Sequence, residues 1–122
     1  MHLDDGRALT FYRLRLDDGT ADAHSRGLLI DAKGKAELLR ATDVDMTPRR
    51  WWRSPRTGAR YPVDWQVRVP GHGLAIELKA LVDPQEWTGD LRYWEGAVDV
   101  TGTGGRAAPG GRGYLELTGY AP

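Results

Sequence analysis

A chain of 122 residues holds one domain and is too short to contain a multidomain enzyme. Its 17 Lys and Arg balance 17 Asp and Glu, so no net field recruits nucleic acid or an anionic membrane. Cysteine is absent, which excludes disulfides, thiolate-held zinc, iron–sulfur clusters and thiol catalysis.

Taken in chain order, the apolar pattern has a period of two. Residues 8–16, 25–30, 35–39 and 43–52 read as strands, separated by turn chemistry at Asp17-Asp18-Gly19 and Lys33-Gly34. Residues 35–41 are the one stretch that could compete as helix, and they are too few to hold one. Over residues 61–69 every odd position is apolar (Tyr61, Val63, Trp65, Val67, Val69), the signature of a half-buried antiparallel strand. Residues 70–73 then form a hairpin loop into 74–80, with Leu74, Ile76, Leu78 and Ala80 inward. Residues 91–100 and 113–119 complete eight strands, with a Gly-rich loop over 102–111 between them. Eight short strands in about 120 residues predict a small closed barrel whose lumen is filled or holds one small ligand.

Local motifs mostly dissolve on inspection. The string Gly102-Thr-Gly-Gly-Arg-Ala107 mimics a dinucleotide fingerprint, but Ala108-Pro109-Gly110 follows where that chemistry needs a helix. It reads as a hairpin loop. Arg49, Arg50, Arg53, Arg56 and Arg60 surround Trp51 and Trp52, a pairing that can serve single strands of nucleic acid. In a neutral chain it reads instead as a solvated strand end, and no nucleic-acid partner is expected. His2, His24 and His72 have no partners at ligand spacing, so no metal is expected. Nothing calls for a cofactor. Ser25 and Ser54 lie outside any nucleophile elbow. No apolar run approaches the ~20 residues of a membrane helix, and the first residues do not read as a signal peptide. Of the 17 cations 14 are Arg and Asn does not occur, a skew expected of GC-rich bacterial coding.

Alternation also assigns the acids. Trp94, Gly96, Val98 and Val100 point inward, which leaves Glu95 and Asp99 outward with Tyr93, and Glu95 is expected to pair with an Arg. Asp64, Glu77 and Glu116 fall on outward faces too. Only Glu86, beside Trp87 and outside any clean alternating run, escapes this reasoning.

Five strings in order resemble a known family: Leu3 to Arg15; Trp52 to Trp65, containing Ser54-Pro-Arg-Thr-Gly-Ala-Arg-Tyr61; Gln85-Glu86; Tyr93-Trp-Glu-Gly-Ala-Val98; and Gly113 to Tyr120. Together they are similar to the C-terminal half of the carotenoid 1,2-hydratase (hydroxyneurosporene synthase) and AttH-like family. The resemblance implies an all-β, lipocalin-like (calycin-type) antiparallel barrel over residues 1–122, matching the second of two such barrels in full-length members. It implies an apolar, terpenoid-type ligand, or packing on a second lipocalin-like domain or a second copy of the chain. It also implies a hydratase (hydro-lyase) activity on an isolated terpenoid double bond. For that chemistry Glu86 and Glu95 are the candidate acids, and Tyr61, Trp65 and Trp94 the candidate ligand-binding aromatics. The family's His-Glu-Trp-type acidic motif belongs to the half preceding the matched one, so catalysis by this chain alone is not expected. The matching protein is expected in the bacterial cytoplasm or at the membrane periphery.

Overall fold

The computed structural model describes residues 1–104 and 108–121. It is built of ten antiparallel strands with no α-helix among the described residues: β1 His2–Leu3, β2 Ala8–Tyr12, β3 Arg26–Ile30, β4 Ala36–Arg40, β5 Asp45–Arg53, β6 Arg60–Val69, β7 Leu74–Ala80, β8 Glu86–Thr88, β9 Arg92–Gly102 and β10 Gly111–Thr118. They form one sheet in the order β4-β3-β2-β1-β10-β9-β7-β6-β5, with β8 also on β9. This is the all-β, lipocalin-like architecture expected of the sequence, with three differences.

The sheet curls into a half-barrel and stays open, because β4 and β5 do not pair among the described residues. The strand count is ten rather than eight. The additional strands, β1 and β8, are two and three residues long, too short to display alternation. The first long strand also ends at Tyr12 instead of residue 16. Beyond it the chain makes a loop held by the Arg15–Ala21 bridge and by Ser25, whose hydroxyl accepts from the Leu14 N–H at 3.0 Å. The stretch with helical ambiguity is strand β4 followed by a single 3-10 turn at Ala41–Asp43.

The clearest sequence signals land where expected. Tyr61, Val63, Trp65, Val67 and Val69 of β6, with Leu74, Ile76 and Leu78 of β7, are all buried. The 70–73 connection is a 3-10 turn closed by Gly73 at φ +59°, a left-handed conformation that a side chain would resist. Trp94, Val98 and Val100 of β9 and Leu117 of β10 join the same core, and Leu3, Leu9, Leu29, Leu39 and Val44 close it from the other limb. The concave face is therefore packed with the chain's own side chains.

One interruption positions the candidate site. β7 and β8 lie along the same edge of β9, β7 against Val98 to Gly102 and β8 against Arg92 to Trp94. Residues 81–85 bulge out between them. The Trp94 indole N–H donates to the Asp83 carbonyl at 2.7 Å, tying the bulge to the core. Gly96 lies beneath the same ring, and a Cβ there would approach Trp94 at 2.9 Å and the Gln85 side chain at 3.0 Å. A small residue at 96 is what lets Trp94 and Gln85 pack together.

Candidate functional site

Glu86 opens β8 directly after this bulge, and its carboxylate points at the loop between β5 and β6. Three hydroxyls donate to it: Ser54, Thr57 at 2.6 Å and Tyr61 at 3.0 Å. The loop is shaped to present them. The Ser54 hydroxyl oxygen accepts from the Arg56 and Thr57 N–H groups, the Ser54 N–H donates to the Ala59 carbonyl, and Gly58 takes φ +75° to complete the turn. Two of the strings that carry the family resemblance, Ser54-Pro-Arg-Thr-Gly and Gln85-Glu86, thus meet in one hydrogen-bond cluster. A third, Tyr93-Trp-Glu-Gly, supports it through Trp94 and Gly96.

The electrostatics follow from those contacts. Burial opposes ionisation of Glu86, but the Ser54, Thr57 and Tyr61 hydroxyls together with nearby Arg56 outweigh it and hold the carboxyl below the usual glutamate range. Tyr61 moves the other way, pushed up to about 12 by burial and by its bond to the Glu86 carboxylate. The cluster is an ionised carboxylate served by neutral donors. Such an arrangement holds a loop in place and accepts hydrogen bonds. It is badly suited to giving up a proton.

The remaining candidate residues lie elsewhere. Glu95 is on the outward face of β9, as alternation expects, opposite Glu116 of β10. Its carboxylate accepts from the Tyr114 hydroxyl at 3.2 Å, and among the described residues no Arg, the partner expected from the sequence, pairs with it. Tyr61 and Trp94 are fully buried and Trp65 is 3% exposed. The Trp65 indole N–H is spent on the Pro62 carbonyl and the Trp94 indole N–H on Asp83, so the three aromatics are core members rather than the wall of an open space. Tyr61 extends a chain of rings, stacked on Trp52 with centroids 6.3 Å apart and tilted against Tyr120 at 6.2 Å.

Asp64 departs from expectation. It faces outward but is only 9% exposed, because Arg50 folds over it with bonds of 2.7 and 3.0 Å and the Ala80 N–H donates at 3.0 Å. A register irregularity between Pro48 and Arg50 turns Arg50 onto Asp64. The same guanidinium reaches Asp83 at 2.8 and 2.9 Å, which depresses that carboxyl and fastens the 81–85 bulge from outside. Other arginines of the basic cluster are engaged within the chain too: Arg49 with Gln66, Arg53 with the Gly58 carbonyl, and Arg60 over the Trp51 ring at 5.4 Å. The Gly102–Ala107 string runs into residues outside the described ones. Among the described residues no group of three or more His, Asp or Glu could hold a metal ion, and no helix is long and apolar enough to cross a membrane.

Sequence reasoning nominated Glu86 but missed its partners Ser54 and Thr57. Their signal is the hydroxyl-bearing Ser54-Pro-Arg-Thr-Gly turn, which carries no nucleophile elbow and gives no local sign of the acid it meets.

The chain is similar to a crystal structure from Nitrosomonas europaea provisionally named AttH, at 40% identity and a TM-score of 0.83. The match covers 98% of this chain and 37% of that one, so this chain spans well under half the length of its structural relative. No curated protein matches it. The AttH-like family profile matches residues 1–120, nearly the whole sequence, and the chain belongs to the AttH-like family.

Proposed function

We propose that this chain is a scaffold barrel that works through its outer surface, packing on a second lipocalin-like domain, either in a longer polypeptide or in a second copy. The observation that carries this reading is the filled concave face. With Tyr61, Trp65 and Trp94 sunk in the core, a terpenoid-sized ligand has no lumen to enter without unpacking it. The outer face of the β2–β4 wing, by contrast, exposes apolar side chains beside Thr10, Arg26 and Arg40. Leu28 and Leu38 are directly opposite each other and are 37% and 57% exposed, with Tyr12 on the same face and β4 at the sheet's free edge.

In this reading Glu86 is a clamp between the β5–β6 loop and β8. Hydration of an isolated alkene needs a carboxylic acid kept protonated by an apolar setting. Glu86 is held in the opposite state and Glu95 faces outward, so the hydratase alternative is not favoured for this chain alone.

Sedimentation of the purified chain across a concentration series, with a parallel absorbance titration by a carotenoid bearing an acyclic end group, tests the proposal. Reversible self-association that Leu28→Gln/Leu38→Gln abolishes, without carotenoid uptake, is the expected result. Stoichiometric carotenoid binding that quenches Trp65 and Trp94, or hydrated product lost in Glu86→Gln, would overturn it.

A further inference from the structure

One feature stands apart from the Glu86 cluster. A cleft of about 450 Å³ opens between the loop that follows β2 and the β5–β6 hairpin, beside the 3-10 turn at Ala41–Asp43. The volume lies within the range of small-molecule sites. Phe11, Val44 and Met46 supply an apolar wall, and Arg13 and Arg68 supply two cations.

These two arginines are less engaged than several others of the basic set. Arg50 is held by two carboxylates, Arg7 by Asp5, and Arg49 by Gln66. Arg68 has no ion-pair or hydrogen-bond partner among the described residues, although Asp45 stands directly across from it in the β5–β6 register. Arg13 makes one long bond, 3.4 Å to the Gly19 carbonyl. Two guanidiniums against the single carboxylate of Asp45 leave one uncompensated positive charge in the lining. We propose that this cleft binds an organic monoanion with an apolar body, most simply a medium-chain carboxylate. The carboxylate sits on Arg13 and Arg68, which offer planar donor pairs that match its two oxygens. The alkyl chain lies on Phe11, Val44 and Met46. Asp45 sets the charge limit, since it repels a second negative group on the ligand. The proposal does not depend on the packing role above, because none of these residues belongs to the Leu28–Leu38 face.

Titration calorimetry with octanoate, and with octan-1-ol as the neutral probe of equal length, tests it. The expected result is saturable one-to-one octanoate binding, with octan-1-ol weaker by about tenfold, equivalent to ~1.4 kcal/mol. Arg13→Gln and Arg68→Gln should each weaken octanoate by about tenfold and leave octan-1-ol unchanged, as loss of a charged hydrogen bond predicts. Asp45→Asn should tighten octanoate alone. Arg68 is exposed and Arg13 half-buried, so melting temperatures close to wild type should confirm that the variants are folded. Equal affinity for the acid and the alcohol, wild-type octanoate affinity in the Arg13→Gln/Arg68→Gln double variant, weaker octanoate binding in Asp45→Asn, or no saturation would each overturn the proposal.

Discussion

The β6–β7–β9 region and the β2–β3–β4 wing follow the same alternating pattern, yet they are buried differently. Over residues 61–65 of β6 both faces are covered: Tyr61, Val63 and Trp65 face the core, while outward Pro62 and Asp64 are buried too, Asp64 under Arg50 and the Ala80 N–H. In the wing only one face is covered. Leu9, Leu29 and Leu39 are buried, and their neighbours Leu28 and Leu38 stand in solvent. Stability therefore concentrates where alternation is backed by a second layer. The exposed apolar groups collect where it is not.

The sharpest way to break that comparison is by truncation. Trp65→Ala or Trp94→Ala should cost about 3–5 kcal/mol by chemical denaturation, the range for removing a buried aromatic ring. A cost well under 1 kcal/mol would mean the region is not the close-packed half of the molecule.

Glu86→Gln comes next. A half-buried carboxylate holding three hydroxyls should be worth about 1–3 kcal/mol at neutral pH. Its sign with pH is fixed by the lowered carboxyl. The contribution is complete above the unfolded glutamate pKa of about 4.3 and is lost as pH falls through the lower folded value. The stability gap between wild type and Glu86→Gln should therefore close in acid. A gap that widens in acid would show that Glu86 is held protonated.

Amide exchange resolves the two regions without mutation. Protection in β6, β7 and β9 should approach that of global unfolding, and β4, at the sheet's free edge, should open at lower cost. Uniform protection would erase the distinction. The smallest effect belongs to the wing surface: Leu28→Gln and Leu38→Gln should each change stability by no more than about 0.5 kcal/mol, as expected of exposed positions.

Most of the fold was legible because strand alternation is a local property. The inward residues of β6, β7 and β9 could be assigned from periodicity alone, and Glu95 was placed on its outward face for the same reason. The short strands β1 and β8 carried no such signal, since two or three residues cannot show a period. The end of β2 was hidden because Arg13, Leu14, Arg15 and Leu16 continue the alternation into a loop.

The site was legible only in part. Glu86 stood out as the acid that alternation could not place, but its role depends on hydroxyls 25 to 32 residues away in the chain. The covering of Asp64 depends in the same way on an irregularity in β5 that turns Arg50 across to it.

The sequence by itself determined an all-β chain, the inward and outward faces of its long strands, and membership of a recognisable family through five ordered strings. The first two follow from local chemistry, because side chains alternate across a strand and turn residues select particular backbone conformations, and the third rests on resemblance. Only the tertiary structure decided that the sheet stays open, that its concave face is filled, and that Glu86 is ionised. Those outcomes depend on which distant groups arrive at the same place. Curl and packing set that arrival, and no local pattern records it.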